Sequence, residues 1–417
     1  MKRINCFIHA QGNDPVNDTI NALRQSPLVA DIYLLSSNGC QHEGCRTIAI
    51  DRLSSSATVA KIAQHADADY VFIYTGHTAL ELGQYALERF YNLGMATATG
   101  LLYSDYYRVT NGIRTPMPTI DYQSGSLRDD FNFGSVLFYR ADAVRRAVGE
   151  TAASYDFAGL YNLRLKVSQF TEIYRINEFL YSETEQDASG SGEKLFDYVD
   201  PKNRAVQIEM EHACTEHLKA IGAYLPPHAD TVTFDAKGFA NEASVIIPVR
   251  NRERTLEDAV LSVLSQETNF PFNLIIIDNH STDRTSEIIA QYARQDARVI
   301  HIIPARTDLG IGGCWNVGVD HPACGKFAVQ LDSDDVYETS STLQTIVDTF
   351  YETGAAMVVG SYTITDINMQ TIPPGLIDHR EWTSKNGHNN ALRINGLGAP
   401  RAFYTPLLRQ IRVPNTS

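Results

Sequence analysis

Apolar residues fall in short runs separated by amphipathic stretches, and the alternation repeats along most of the chain. In the first part, strand-sized runs occur at 6–8, 32–35, 70–74, 96–103 and 136–139. Helical spacing fills 18–24 and 80–90. The stretch QDASGSGE at 186–193 reads as a loop. Asp200-Pro201 then reads as an N-cap and first helical residue, followed by Val206, Met210, Cys214, His217, Ile221 and Tyr224 at helical spacing. From Ala243 the alternation restarts. Strands are predicted at 244–248, 273–277, 299–303, 327–331 and 355–360, and helices at 256–264, 285–293 and 341–352. Such alternation predicts α/β layering around mostly parallel sheets. The predicted organisation is a first domain at 1–185, a loop, connecting helix and linker at 186–242, and a second domain at 243–417.

The two halves also resemble each other. Phe90-Tyr91 with Gly94 recurs as Phe350-Tyr351 with Gly354, and Phe138-Tyr139 recurs as Phe403-Tyr404. The strand at 5–8 matches that at 244–247. Collinear matches predict two tandem copies of one domain. The copies differ where strands end, which is where open α/β sheets bind ligands. The second has Leu331-Asp332-Ser333-Asp334-Asp335, where the first has Tyr74-Thr75-Gly76-His77-Thr78. The first copy is therefore expected to be degenerate, a scaffold without the acidic motif.

Composition narrows the function. With 43% apolar and 20% charged residues, the 417-residue chain has an ordinary globular composition. Its 35 basic and 49 acidic side chains give a net charge of −14, which argues against non-specific nucleic-acid binding. Cys40, His42 and Cys45 lack the second ligand pair that a zinc site needs, so free thiols are expected. No apolar run approaches the ~20 residues of a membrane span. A cytoplasmic location is expected, with the inner face of the membrane as an alternative.

Three carboxylates, Asp332, Asp334 and Asp335, follow an apolar strand. Like charges this close repel, and a divalent cation with hard oxygen ligands relieves that cost. The alternative is a solvated, helix-capping turn. After the second strand of this half comes Asp278-Asn279-His280-Ser281-Thr282-Asp283, in which Ser281 or Thr282 reads as a helix cap and Asp278 is left to read a base or ribose. Pro248 is expected to end the first strand, with Arg250 and Asn251 projecting beyond it.

These residues resemble the nucleotide-binding half of the GT-A fold glycosyltransferases of family 2. The matching segments are SVIIPVRNR at 244–252, IIIDNHSTDRT at 275–285, DLGIGGCWNVG at 308–318 and LDSDD at 331–335, the last standing as the family's D-x-D motif. The resemblance implies a Rossmann-like nucleotide-diphospho-sugar transferase fold, in tandem through the repeat. It implies that Pro248, Arg250 and Asn251 line the nucleoside pocket and that Asp278 contacts the base. Asn279 stands where many relatives carry a second Asp. Cys314-Trp315-Asn316 replaces the frequent Ala-Arg-Asn, and Arg306 is the candidate substitute for the missing Arg. Asp332 and Ser333 would meet the ribose or donor sugar, while Asp334, with Asp332, would hold Mn2+ or Mg2+ on the diphosphate. Trp382, His388 and Phe403, with Tyr362, are acceptor-pocket candidates, although His388 also reads as an ordinary loop histidine.

The function implied is an inverting, hexosyltransferase-like transfer from a nucleotide-diphospho-sugar, UDP-linked by preference, to a carbohydrate or glycoconjugate hydroxyl. The family's base follows the segment at 395–403, and by the repeat its equivalent lies beyond Ser417. The second domain is thus expected to be truncated, with Asp366, Asp378 and Glu381 as fallback bases. A non-catalytic nucleotide-sugar- or carbohydrate-binding scaffold is the alternative. A haloacid-dehalogenase-type phosphatase would need later motifs that the remaining residues lack. A nucleotidyltransferase would need glycines in 248–254, and Gly310-Ile311-Gly312-Gly313 fails the dinucleotide fingerprint.

Overall fold

The computed structural model describes residues 3–10, 16–123, 125–184, 203–394, 397 and 400–411. The loop at 186–193, the helix start at 200–201, four residues of 395–403 and Ser417 lie outside the described residues. The chain divides into two compact units, one of 1–227 with 381–395 and one of 228–380 with 396–417. The connecting helix, predicted apart from both domains, belongs to the first unit.

The first unit contains β1 (Ile4–His9), α1 (Val16–Arg24), β2 (Val29–Ser36), β3 (Arg46–Ala49), α2 (Ser56–Gln64), β4 (Tyr70–Tyr74), β5 (Leu80–Leu82), α3 (Ala86–Thr97), β6 (Leu101–Thr110), β7 (Ile113–Met117), β8 (Val136–Arg140), α4 (Ala141–Gly149), α5 (Gly159–Ser168), β9 (Ile173–Thr184) and α6 (Arg204–Ala220). Its sheet runs β3-β2-β1-β4-β8-β6-β9-β5, with β7 on β6. The helix predicted at 80–90 and the strand predicted at 96–103 are corrected here. Leu80–Leu82 pairs with β9 as a short strand, and α3 runs on to Thr97. The helix outlasts the prediction because Phe90, Tyr91 and Gly94 form its buried face, and Gly94 lies so close to the Tyr70 ring that a Cβ would meet it at 2.7 Å.

The second unit contains β10 (Ala243–Val249), α7 (Leu256–Leu264), β11 (Phe272–Asp278), α8 (Thr285–Gln295), β12 (Val299–Ile302), α9 (Ile311–Asp320), β13 (Phe327–Gln330), α10 (Thr342–Thr353), β14 (Met357–Val359), β15 (Tyr362–Thr365) and β16 (Thr371–Ile377). The chain then gives α11 (Gly387–Arg393) to the first unit and returns as β17 (Arg401–Tyr404) and α12 (Thr405–Ile411). The main sheet runs β12-β11-β10-β13-β17-β14. Strands β10 and β11 are buried at every position, which explains their continuous apolar runs. Val245, Ile247, Leu274 and Ile276 pack with Val260, Ile289 and Val347 on one face. Ile246, Ile275 and Ile277 pack with Cys314 and Val319 on the other.

The first six strands of the first sheet share the order and sense of the second. β3-β2-β1-β4 and β12-β11-β10-β13 are parallel, and β8 and β17 each join antiparallel to the fourth strand. β6 and β14 follow, antiparallel again.

Helix α9 sits close on the second sheet through Gly318, where a Cβ would meet Ile246 Cγ2 at 2.6 Å and Ile277 Cδ1 at 2.9 Å. Gly318→Val is expected to destabilise the second unit by about 1–3 kcal/mol through overpacking. Urea unfolding followed by Trp315 fluorescence in a Trp382→Phe background measures this, and an unchanged midpoint would contradict the close packing.

Candidate functional site

Three loops leave the carboxyl ends of β10, β11 and β13 in the second unit, and the first ties the other two together. Asn251 Oδ1 accepts from Thr282 N–H at 2.7 Å, and Asn251 N–H donates to Ser281 Oγ at 3.0 Å. Arg252 N–H donates to Thr285 Oγ1 at 2.8 Å, while its guanidinium lies 3.6 Å from Asp334 Oδ2. Thr255 Oγ1 donates to the Ser333 carbonyl at 3.0 Å. Asn251 adopts φ 55°, a left-handed conformation that Asn tolerates better than most residues, and His280 does the same at φ 59°.

Pro248 does not end its strand. The ladder continues to Val249 opposite Asp278, and Asn279 N–H donates to the Val249 carbonyl at 2.8 Å. Pairing with β13 stops at Ile246, so the missing proline N–H falls where that neighbour has already left. Arg250 is exposed beside it.

Asp278 is 1% exposed. Burial opposes its ionisation, but His301, the hydroxyl and N–H of Ser281, and Ser286 outweigh it and hold the carboxyl below the usual range. Ser281 N–H donates to Oδ1 at 2.9 Å, and His301 Nε2 lies 3.5 Å from Oδ2. The residue expected to face a base is thus also the pin of its own loop. A depressed pKa adds stability above 3.8, which is lost as pH falls through the folded value. Asp278→Asn should therefore be less stable than the parent at pH 7, with the gap closing as pH falls below 3.8. Urea midpoints across that range measure it, and a constant gap would contradict the pinning role.

Asn279 donates from Nδ2 to the Leu309 carbonyl at 2.6 Å, and its buried Oδ1 has no partner. Leu309 also borders a groove of about 630 Å³ with Ile302, Arg306, Gly313 and Asn316. Arg306, the candidate substitute for the missing Arg, pairs with an acidic neighbour. It makes two bonds to Asp308, at 2.9 and 2.7 Å.

The acid corner is a tight turn in which Asp335 N–H donates to the Asp332 carbonyl at 3.2 Å. Asp332 is half-buried, Ser333 buried and Asp334 exposed. Burial and repulsion from Asp334 raise the Asp332 pKa against the pull of Arg401 and Gln330. Asp335 is exposed as a residue, yet the protein around its carboxylate desolvates it, and with Asp332 and Asp334 pushes it up to about 6.

The acceptor candidates are divided between the two units. Trp382 and His388 belong to the first unit, where the His388 ring lies 6.2 Å from that of Tyr224. Phe403 is a strand residue of the second, opposite Ala328 and Met357. The fallback bases are each engaged locally. Asp366 Oδ1 accepts from Asn368 and Gln370 N–H, Asp378 pairs with Arg380, and Glu381 with Arg204. Arg401, Gln330, Thr255 and His301 were not singled out by sequence. His301, a polar residue inside the apolar run Val-Ile-His-Ile, carried a signal; the others owe their places to pairing between distant segments.

The arrangement defines an open α/β domain with a polar, acid-rich carboxyl edge, the class of sheet that binds nucleotides there. Residues 244–409 match the sequence model of Glycosyl transferase family 2. An uncharacterised glycosyltransferase of Nostoc sp. is 36% identical over 129 residues, 31% of this chain and 39% of its own length. The GalNAc(5)-diNAcBac-PP-undecaprenol beta-1,3-glucosyltransferase of Campylobacter jejuni is 32% identical over 121 residues, 29% of this chain and 38% of its own. These matches thus span under two fifths of the relatives' length. The structure of S. aureus TarS 1-349 with UDP-GlcNAc aligns over 41% of this chain and 47% of its own, with 22% identity and a TM-score of 0.31. Among the described residues no helix is long and apolar enough to cross a membrane.

Proposed function

We propose that the second unit binds a nucleotide-diphospho-sugar, UDP-linked by preference, and passes the sugar to a hydroxyl of a carbohydrate or glycoconjugate acceptor with inversion. The observation that carries this reading is the single loop, 250–255, that bonds to both the Asp278 loop and the acid corner. A polar nucleoside edge and a phosphate-side edge are thereby held in one frame. The family match over 244–409 and the likeness to a beta-1,3-glucosyltransferase support the transfer of a sugar.

Among the described residues no three His, Cys, Asp or Glu side chains converge as a ready-made metal site, but Asp332 and Asp334 repel each other and supply hard carboxylate oxygens of the kind that suit Mg2+ or Mn2+. Asp334 and Asp332 would hold it, and when bound it supplies Lewis-acid relief of the charge on a leaving diphosphate. Asn251, Asn279 and the Ser281 loop orient the nucleoside, while Asp332 and Ser333 meet ribose or sugar hydroxyls. Attack from the face opposite the diphosphate inverts the anomeric carbon, with a carboxylate taking the hydroxyl proton.

The matching strand orders support a shared origin of the two units, with the first acting as a scaffold without an acid corner. Release of UDP from UDP-N-acetylglucosamine or UDP-glucose, assayed with oligosaccharide acceptors and Mn2+, tests the transferase reading. Acceptor-dependent release supports it. Binding of the sugar nucleotide with no product under any acceptor would favour a binding scaffold.

A further inference from the structure

We propose that the first unit carries a site for a borderline transition-metal ion of the Zn2+ class, held by the imidazoles of His9 and His77 at the carboxyl edge of its sheet. β1 ends at His9, which is 5% exposed and lies opposite Leu35 of β2. His77 is exposed, in the loop that follows β4, the strand on the other side of β1. The two rings meet edge to face, with centroids 4.7 Å apart and planes at 62°. One imidazole comes from the interior and the other from the surface, so the pair borders solvent.

The place is the counterpart of the acid corner, and strand register fixes it. Asn5 pairs with Val71 as Ser244 pairs with Ala328. His77 and Asp334 each stand six residues beyond the paired position, and His9 and Pro248 each stand four beyond theirs. The first unit thus presents imidazole where the second presents carboxylate. Nitrogen donors suit Zn2+, Ni2+ or Cu2+, in contrast to the Mg2+ or Mn2+ that carboxylates favour. The loop holds His77 in place. Thr75 donates from its N–H and its Oγ1 to the Ser135 carbonyl, at 2.9 and 3.1 Å, and the Tyr74 hydroxyl donates to the Thr78 carbonyl at 2.8 Å. Between them Gly76 lies so close to Tyr74 that a Cβ would meet its hydroxyl oxygen at 2.5 Å. A ligand fixed in this way is what a preorganised ion site requires. Two imidazoles that share one ion through bonds of about 2.0–2.1 Å have ring centres roughly 4.5–5.2 Å apart at cis angles of about 90–110°. The 4.7 Å separation lies within that span. Among the described residues no third His, Cys, Asp or Glu joins them, so the remaining positions fall to water, as in an open site and not a closed structural one.

The test is calorimetric titration of ZnCl2 into the full chain and into His77→Phe, which keeps a ring against His9 and removes the nitrogens. Cys45 Sγ and His42 Nδ1 lie 4.0 Å apart and would compete for zinc, so both titrations are run in a Cys45→Ser background. His77→Phe is expected to lose one zinc site, with affinity down at least about 100-fold, the upper end of the loss for a mere supporting partner. Its thermal unfolding in EDTA should match the parent, because His77 is exposed. Crystals soaked in ZnCl2 should show anomalous density between the two rings. A parent that binds no zinc, identical titrations of the two proteins, or zinc density confined to other residues would overturn the inference and leave the rings an edge-to-face packing pair. Should His77→Phe fold poorly, His77→Ala gives the same comparison. The donor-site reading of the second unit is untouched by either result, because its residues and its cation are different.

Discussion

Replacing Asp334 by Asn is expected to abolish Mn2+-dependent UDP binding while leaving the second unit at least as stable as before. The two effects have one cause. Asp334 adds to the repulsion that raises the pKa of Asp332 and of Asp335. Its partner Arg252 stands 3.6 Å away with both side chains about half exposed, a geometry that returns little stability. Removing the charge therefore relaxes the corner. The same charge is the proposed main ligand of the cation, and losing it should cost at least about 100-fold in affinity, the upper end of the loss for a mere supporting partner. Calorimetry gives the affinity and a thermal melt the stability. A site that carries charge for binding at the expense of folding predicts opposite signs for the two. If Asp334→Asn both bound UDP normally and melted lower, the acid corner would be a structural cap.

The second large effect is expected in the first unit, at Arg393. This arginine is 1% exposed, and it bonds to Gln207 Oε1 and Asn390 Oδ1, each at 2.8 Å, and to Asp129. Burial pushes the Asp129 carboxyl up and Arg393 pulls it down. Arg393→Met would strand a largely buried carboxylate, at a cost of about 3–5 kcal/mol. Asp129→Leu combined with Arg393→Met should recover most of that loss, since a buried pair replaced by apolar groups is often neutral. The chain has two tryptophans, Trp315 in the second unit and Trp382 in the first. A Trp315→Phe background therefore reports unfolding of the first unit alone. Equal urea midpoints for parent and Arg393→Met would contradict the structural role of the pair.

Much of the fold was legible because burial leaves a simple trace. β10 and β11 are covered on both faces, so their apolar runs named them as parallel central strands. Gly94 and Tyr70 show the limit. The last turn of the helix packs through a close approach between residues 24 positions apart, which no local pattern displays. At the site, Asp332, Asp334, Asp278 and Asn251 stood out because charged or polar residues interrupt apolar runs at strand ends. Arg306 pairs with Asp308, two residues away, a local bond that the sequence reading did not consider. Trp382 and His388 were grouped with Phe403 by sequence, yet 381–395 leaves the second unit and packs α11 on α6. That exchange depends on the buried Arg393 and on Asn389 bonding to Thr215 at 2.6 Å, partners far apart in sequence.

The central claim, that the turn at 332–335 receives a cation together with a nucleoside diphosphate, is tested most directly by anomalous diffraction from crystals grown with MnCl2 and UDP. A manganese peak is predicted at bonding distance from Asp334, with the UDP phosphates beside it and the nucleoside against the 251 and 278–282 loops. UDP bound elsewhere on the chain, or a turn that holds neither ion nor phosphate at saturating concentrations, would contradict it.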